Sequence, residues 1–177
     1  MSTDIDMNNL TGYRIVTYVL LFVAAFLSMG LLTNMLAALA NPVALLPLFL
    51  VACVVIYTYC SWRFLVRGID RGITLKTSLR DLIKVNAYIT MALSAIVLFQ
   101  MIILLSNPEL IGPVMEQAKA AQPSGSEISD EMLHKMIRAT MMILLGYAVL
   151  LLIHSFITMR LVRRYAQVFE DTSANTD

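Results

Sequence analysis

Charge is scarce in this sequence, and its scarcity is organised. Asp, Glu, Lys and Arg make up 14% of the chain, against about 25% in a typical soluble domain. There is no charged residue from Ile15 to Trp62, from Val85 to Pro108, or from Ala139 to Met159. A helix needs about 20 apolar residues to cross a hydrocarbon layer of roughly 30 Å. The first window therefore holds two spans and the others one each.

Cysteine and histidine are nearly as rare, with two of each. Cys53 and Cys60 sit on one expected span, separated by about 10 Å of helical rise, too far to bridge each other. No CxxC or Cys/His metal spacing exists. His134 and His154 lie on one helix, about 30 Å apart by rise, so they do not grip one haem within a single chain. Met132, His134 and Met136 would be soft ligands for Cu(I) only in an extended segment, because on a helix His134 points away from the two methionines; adaptable packing accounts for them better. Paired carboxylates and a nucleophile–base pair are missing too. These gaps argue against an enzyme and imply no cofactor.

What remains is an all-α integral membrane protein, with four transmembrane helices in an up-down bundle. The expected spans are about 15–40, 43–66, 80–105 and 136–160, joined by a cytoplasmic loop over 67–79 and an extracytoplasmic loop over 106–132. A short tail over 1–12 and a disordered cytoplasmic tail over 170–177 flank them. Thr11 is placed to cap a helix starting near Gly12. Ala38-Leu39-Ala40 resembles a signal-peptidase site, but the apolar run before it is too long and the tail has no basic start, so the segment is expected to be retained. Asn41-Pro42 and Asn107-Pro108 fit an N-cap followed by proline at the first helical position. Pro47 should bend the second span. Gly68 and Gly72 interrupt the helix in the central loop, and Ser78-Leu79-Arg80-Asp81 reads as a variant capping box. In the outer loop, 113–122 fits a short surface helix, 123–126 a flexible break, and Ser129 the cap of the last helix.

The thirteen basic residues are unevenly placed. Arg63, Arg67, Arg71, Lys76, Arg80 and Lys84 cluster in one loop; Arg160, Arg163 and Arg164 end the last span, and Arg14 flanks the first. Only Lys119, Lys135 and Arg138 fall on the other side, which is acidic. The positive-inside rule puts both termini in the cytoplasm of a cell-membrane protein. The six loop cations are candidates for contact with anionic lipid headgroups or a membrane-protein partner, although orienting the chain already accounts for them. Nothing points to nucleic acid, since no basic helix is interleaved with exposed aromatics.

Arg14-Ile-Val-Thr-Tyr18 and Lys84-Val-Asn-Ala-Tyr88 place a basic residue four before a tyrosine at the start of each odd span. The Asn-Pro pairs recur, and Arg63-Phe-Leu-Val-Arg67 is echoed by Arg160-Leu-Val-Arg163. Two parallel hairpins would produce this pattern, the second with an inserted outer loop; so would generic anchors and caps. Both readings stay open.

Polar groups at membrane depth are costly unless partnered, so they mark candidate sites. Asn34 and Gln100 fall in the outer halves of their spans. Tyr57, Cys60, Asn86, Thr90, His154 and Ser155 fall in the inner halves, as a candidate pocket open to the cytoplasm in which His154 would take a proton or a ligand. With no carboxylate or cation accompanying His154, interhelical hydrogen bonding is favoured. The functional expectation is a non-enzymatic scaffold or a subunit of a membrane complex. The alternative is a small transporter or channel subunit that homo-oligomerises around the polar pocket.

Overall fold

The computed structural model describes residues 7–39, 42–122 and 128–170. They form five α-helices: α1 (Met7–Leu39), α2 (Pro42–Arg63), α3 (Thr77–Ser106), α4 (Ile111–Ala120) and α5 (Asp130–Arg164). Four are long and apolar enough to cross a membrane, and α4 is short. Large apolar side chains point outward along these four, among them Phe22, Phe26, Leu32, Phe99 and Ile143. Helices apolar on all sides need an apolar solvent or a surrounding protein.

Several local expectations change. The first helix starts at Met7, so Thr11 sits inside it rather than capping it. Likewise α3 starts at Thr77, which places Ser78 in the first turn, and the Asp81 carboxylate accepts from Arg80 Nε at 3.5 Å instead of closing a capping box. Asn107 works backwards: its Nδ2 donates to the Ile103 carbonyl at 3.0 Å, satisfying the end of α3. A 3-10 turn over Pro108–Leu110 then leads into α4. Ser129 is a cap as expected, its Oγ accepting from the Met132 amide at 3.4 Å. Asn41, the 123–126 break and the tail beyond residue 170 lie outside the described residues, as does the Ala40 of the supposed signal-peptidase site.

The chain divides into two compact units, Met1–Leu93 with Leu151–Asp177, and Ser94–Leu150. In the second, Lys119 Nζ pairs with Asp130 Oδ1 at 2.6 Å and Lys135 Nζ with Glu131 Oε1 at 2.7 Å, both exposed.

In the first unit α2 does not stop at Arg63. It runs on as a π-helical turn over Phe64–Ile69, so Gly68 does not break it. Gly68 is needed for a different reason: a Cβ there would lie 2.9 Å from Leu75 Cδ1 and 3.1 Å from Val168 Cγ1. Gly72 makes the turn, with φ at +62, a conformation costing other residues about 1–2 kcal/mol. Next comes β1 (Leu75–Lys76), which pairs in parallel with β2 (Phe169–Glu170), Leu75 opposite Phe169. A two-residue ladder contributes little alone. It is held by a hydrophobic cluster of Cys60, Phe64, Leu75, Ile83, Val162 and Phe169, in which the Phe64 and Phe169 rings stack at 5.4 Å. The cluster ties the ends of α2, α3 and α5 to the central loop. Arg14 Nη2 adds a 2.6 Å ion pair to Asp70 Oδ1.

Burial repeats along the chain. The buried positions of α1, Tyr13, Thr17, Leu20 and Ala24, recur on α3 in the same register as Ile83, Ala87, Thr90 and Ser94. On α2, Val54, Tyr57, Thr58, Ser61 and Leu65 recur on α5 as Leu151, His154, Ser155, Thr158 and Val162. The first register is the one that aligns Arg14 with Lys84 and Tyr18 with Tyr88, and the second aligns Arg63 with Arg160.

Candidate functional site

The buried polar positions of α1, α2 and α5 converge on His154, within the first unit. Helical spacing prepares each contribution: Tyr13 and Thr17 are four apart on α1, as are Tyr57 and Ser61 on α2 and His154 and Thr158 on α5, so each pair shares a face. All six side chains are buried.

Both ring nitrogens of His154 are engaged. Nδ1 lies 2.7 Å from Tyr57 Oη and Nε2 lies 2.9 Å from Thr17 Oγ1. Thr17 donates its own proton to the Tyr13 carbonyl at 2.7 Å, so Nε2 carries the hydrogen in its bond to Thr17. Nδ1 is then the nitrogen with the lone pair, facing the Tyr57 hydroxyl. One N–H and one lone pair is the inventory of a neutral imidazole. Orientation is fixed from two sides, by the Tyr13 ring stacked at 4.8 Å with a 4° interplanar angle and the Tyr57 ring edge-on at 5.8 Å.

Thr158 closes the cluster. It donates to the His154 carbonyl at 2.8 Å, and its oxygen lies 3.0 Å from both Tyr13 Oη and Tyr57 Oη. Ser61 Oγ meets Tyr13 Oη at 3.0 Å. Tyr57 thus has two acceptors for one proton, His154 Nδ1 and Thr158 Oγ1. Three helices are cross-linked by groups that satisfy one another, as buried polar groups in an apolar setting must be.

Of the six residues expected to form a pocket, the structure brings Tyr57, His154 and Ser155 together and distributes the other three. Cys60 belongs to the hydrophobic cluster near Phe64. Asn86 Nδ2 donates within its own helix to the Leu82 carbonyl at 2.9 Å. Thr90 Oγ1 is buried without a hydrogen-bond partner among the described residues, and Ser155 is buried beside Tyr57. Asn34 also bonds locally, to the Gly30 carbonyl at 2.8 Å, and is exposed; Gln100 is exposed as well. Sequence reasoning missed Tyr13, Thr17, Ser61 and Thr158. The available signal was the hydroxyl one helical turn from each of Tyr57 and His154. The repeat of burial does not extend to chemistry, because α3 offers Ile83 and Ala87 where α1 offers Tyr13 and Thr17.

Among the six cations of the central loop, Arg80 faces Asp81, while Arg63, Arg67 and Lys76 line a common cavity of about 400 Å³ with Thr74, Ser78 and Leu79. Arg71 and Lys84 lie outside that lining.

Comparison with protein families, curated proteins and solved structures returns no match.

Proposed function

We propose that this chain is a multi-pass membrane protein that works without catalysis, as a scaffold or subunit of a membrane complex. One observation carries the reading: both nitrogens of His154, the one histidine of the cluster, are tied to hydroxyls of two other helices, so the imidazole is buried and fully hydrogen-bonded within the protein. The cluster serves as a fastener. Interhelical hydrogen bonds of this kind contribute about 0.6 kcal/mol each on average in bilayers and fix which helix faces meet.

Four long apolar helices with outward Phe, Leu and Ile side chains support insertion as four spans, with lipid covering the surfaces that no protein covers. The uneven basic residues support cytoplasmic termini in a cell membrane. The recurring burial on α1 and α3, and on α2 and α5, supports two parallel hairpins within the bundle.

The test joins two measurements on the full chain. Purification in a mild neutral detergent should return a reproducible stoichiometric partner, or a homo-oligomer, retained when His154 is replaced by Phe in a folded variant. Proteoliposomes of the purified protein should show no proton or solute flux above empty vesicles. A flux abolished by Thr17→Val or His154→Phe would overturn the proposal in favour of transport.

A further inference from the structure

The cavity beside the end of α2 has the composition of a binding site. Arg63 and Arg67 are four residues apart where α2 passes into the π-helical turn, so both guanidinium groups project from one side. Lys76 of β1 supplies a third cation, and Thr74 and Ser78 supply hydroxyls. Among the described residues no carboxylate lines the cavity. Asp70 is engaged by Arg14 and Asp81 by Arg80, and Glu170 stands opposite Lys76 in the strand pair. Arg63 Nε is buried with no hydrogen-bond partner among the described residues, and a desolvated charged donor left unpaired is costly. Arg63 and Arg67, the first partly desolvated, have no ion pair among the described residues, and with Lys76 they form a site suited to an anion.

The donor set narrows the anion. Arginine forks pair with two oxygens at once, which suits phosphate and carboxylate alike. A single carboxylate offers one charge and two oxygens to three cations and two hydroxyls, whereas a phosphate monoester offers up to two charges and three terminal oxygens. The lining also includes the apolar side chains of Leu79, Leu82 and Ile73. At about 400 Å³ the cavity falls within the range of small-molecule sites and leaves room for carbon beyond the phosphate. We infer that this pocket binds the phosphate group of an anionic amphiphile, with the oxygens on Arg63, Arg67 and Lys76 and the first carbons against Leu79 and Leu82.

The rest of the unit holds the site in shape. Lys76 is positioned by pairing of its strand with Phe169–Glu170, Leu75 is packed under Gly68, and Phe169 stacks on Phe64. Docking of the C-terminal segment and occupancy of the pocket are therefore coupled through β1.

Both phosphatidate in a bilayer and a soluble phosphate monoester carry this chemistry. Only the lipid source rests on the membrane reading above; binding of a soluble phosphate does not. The experiment uses the purified full chain in phosphatidylcholine nanodiscs doped with phosphatidate, with retained phosphatidate counted by native mass spectrometry. Inorganic phosphate and glycerol 3-phosphate are titrated calorimetrically into undoped discs. The Arg63→Gln/Arg67→Gln variant should retain at least tenfold less phosphatidate, and Arg63→Lys/Arg67→Lys, which keeps charge but loses the fork, at least threefold less. Arg71→Gln/Arg80→Gln, outside the pocket, should stay within twofold of the parent. If the glutamine variant does not fold, the lysine variant and Lys76→Gln decide. Displacement of the lipid by millimolar phosphate would assign the site to a soluble ester, and resistance to displacement to a headgroup; either supports the inference. Equal losses from the pocket pair and the outside pair, or no phosphate ligand of either kind on the parent protein, would overturn it.

Discussion

Replacing Tyr57 with Phe removes one oxygen and keeps the ring, so it isolates the contribution of the hydroxyl at the centre of the cluster. That oxygen makes contacts of 2.7 Å to His154 Nδ1 and 3.0 Å to Thr158 Oγ1. Interhelical hydrogen bonds in membranes average about 0.6 kcal/mol and reach about 1.7. The change also leaves Nδ1 buried with no donor, a situation worth about 1–3 kcal/mol. Together these give an expected destabilisation of about 1–3 kcal/mol. Thr17→Val acts on the opposite nitrogen and should cost a similar amount. Because both act through one imidazole, the double variant should depart from additivity by about 0.5 kcal/mol or more. The control is Tyr59→Phe, two residues from Tyr57 on the other side of the helix and 48% exposed, expected within about 0.5 kcal/mol of the parent. Stability is measured by reversible unfolding with an ionic detergent in neutral-detergent micelles, followed by circular dichroism. The same samples, labelled with ¹⁵N-histidine, should show His154 protonated at Nε2 and not at Nδ1, since the Thr17 proton is committed to the Tyr13 carbonyl. A Tyr57→Phe stability equal to that of Tyr59→Phe, together with a proton on Nδ1, would refute the assigned network.

Gly68→Ala should cost about 1–3 kcal/mol through overpacking against Leu75 and the stiff Val168, and should raise proteolytic cleavage near residue 170. Gly72→Ala meets no atom within 4 Å and should cost about 1–2 kcal/mol from backbone alone, with cleavage near residue 170 unchanged. Arg14→Gln breaks an ion pair whose side chains are 44% and 28% exposed, so the loss should be about 0.2–1 kcal/mol and should shrink in high salt. On a background with Cys53→Ala and Cys60→Ala, a membrane-impermeant thiol reagent applied to intact cells should label Lys119→Cys and not Arg71→Cys; the reverse pattern would invert the topology.

Sequence reading reached the helices because what makes them is local. Charge-free windows of sufficient length, the proline at the start of α2, and Ser129 before α5 each act within a few residues. It failed at ends where two local solutions compete. Ser78 was a reasonable cap, but pairing of Leu75–Lys76 with Phe169–Glu170 starts the helix one residue earlier. Gly68 read as a break, yet its role is a close approach by Leu75 and Val168, residues distant in sequence.

By itself, then, the sequence determined the number of long apolar helices, the segregation of the basic residues, and which hydroxyls share a helix face, since all three depend on spacing along one chain. Only the tertiary structure decided which hydroxyls meet. A threonine in an apolar helix can satisfy itself on the carbonyl four residues back, as Thr58 does on Val54 at 2.8 Å and Thr140 on Met136 at 2.9 Å. Thr17 and Thr158 make the same local bond and also reach across to other helices. Nothing in their sequence neighbourhood separates the two cases. The difference arises when the packing of α1, α2 and α5 brings Thr17, Tyr57 and His154 to one point, and the same packing sets Arg63, Arg67 and Lys76 around one cavity.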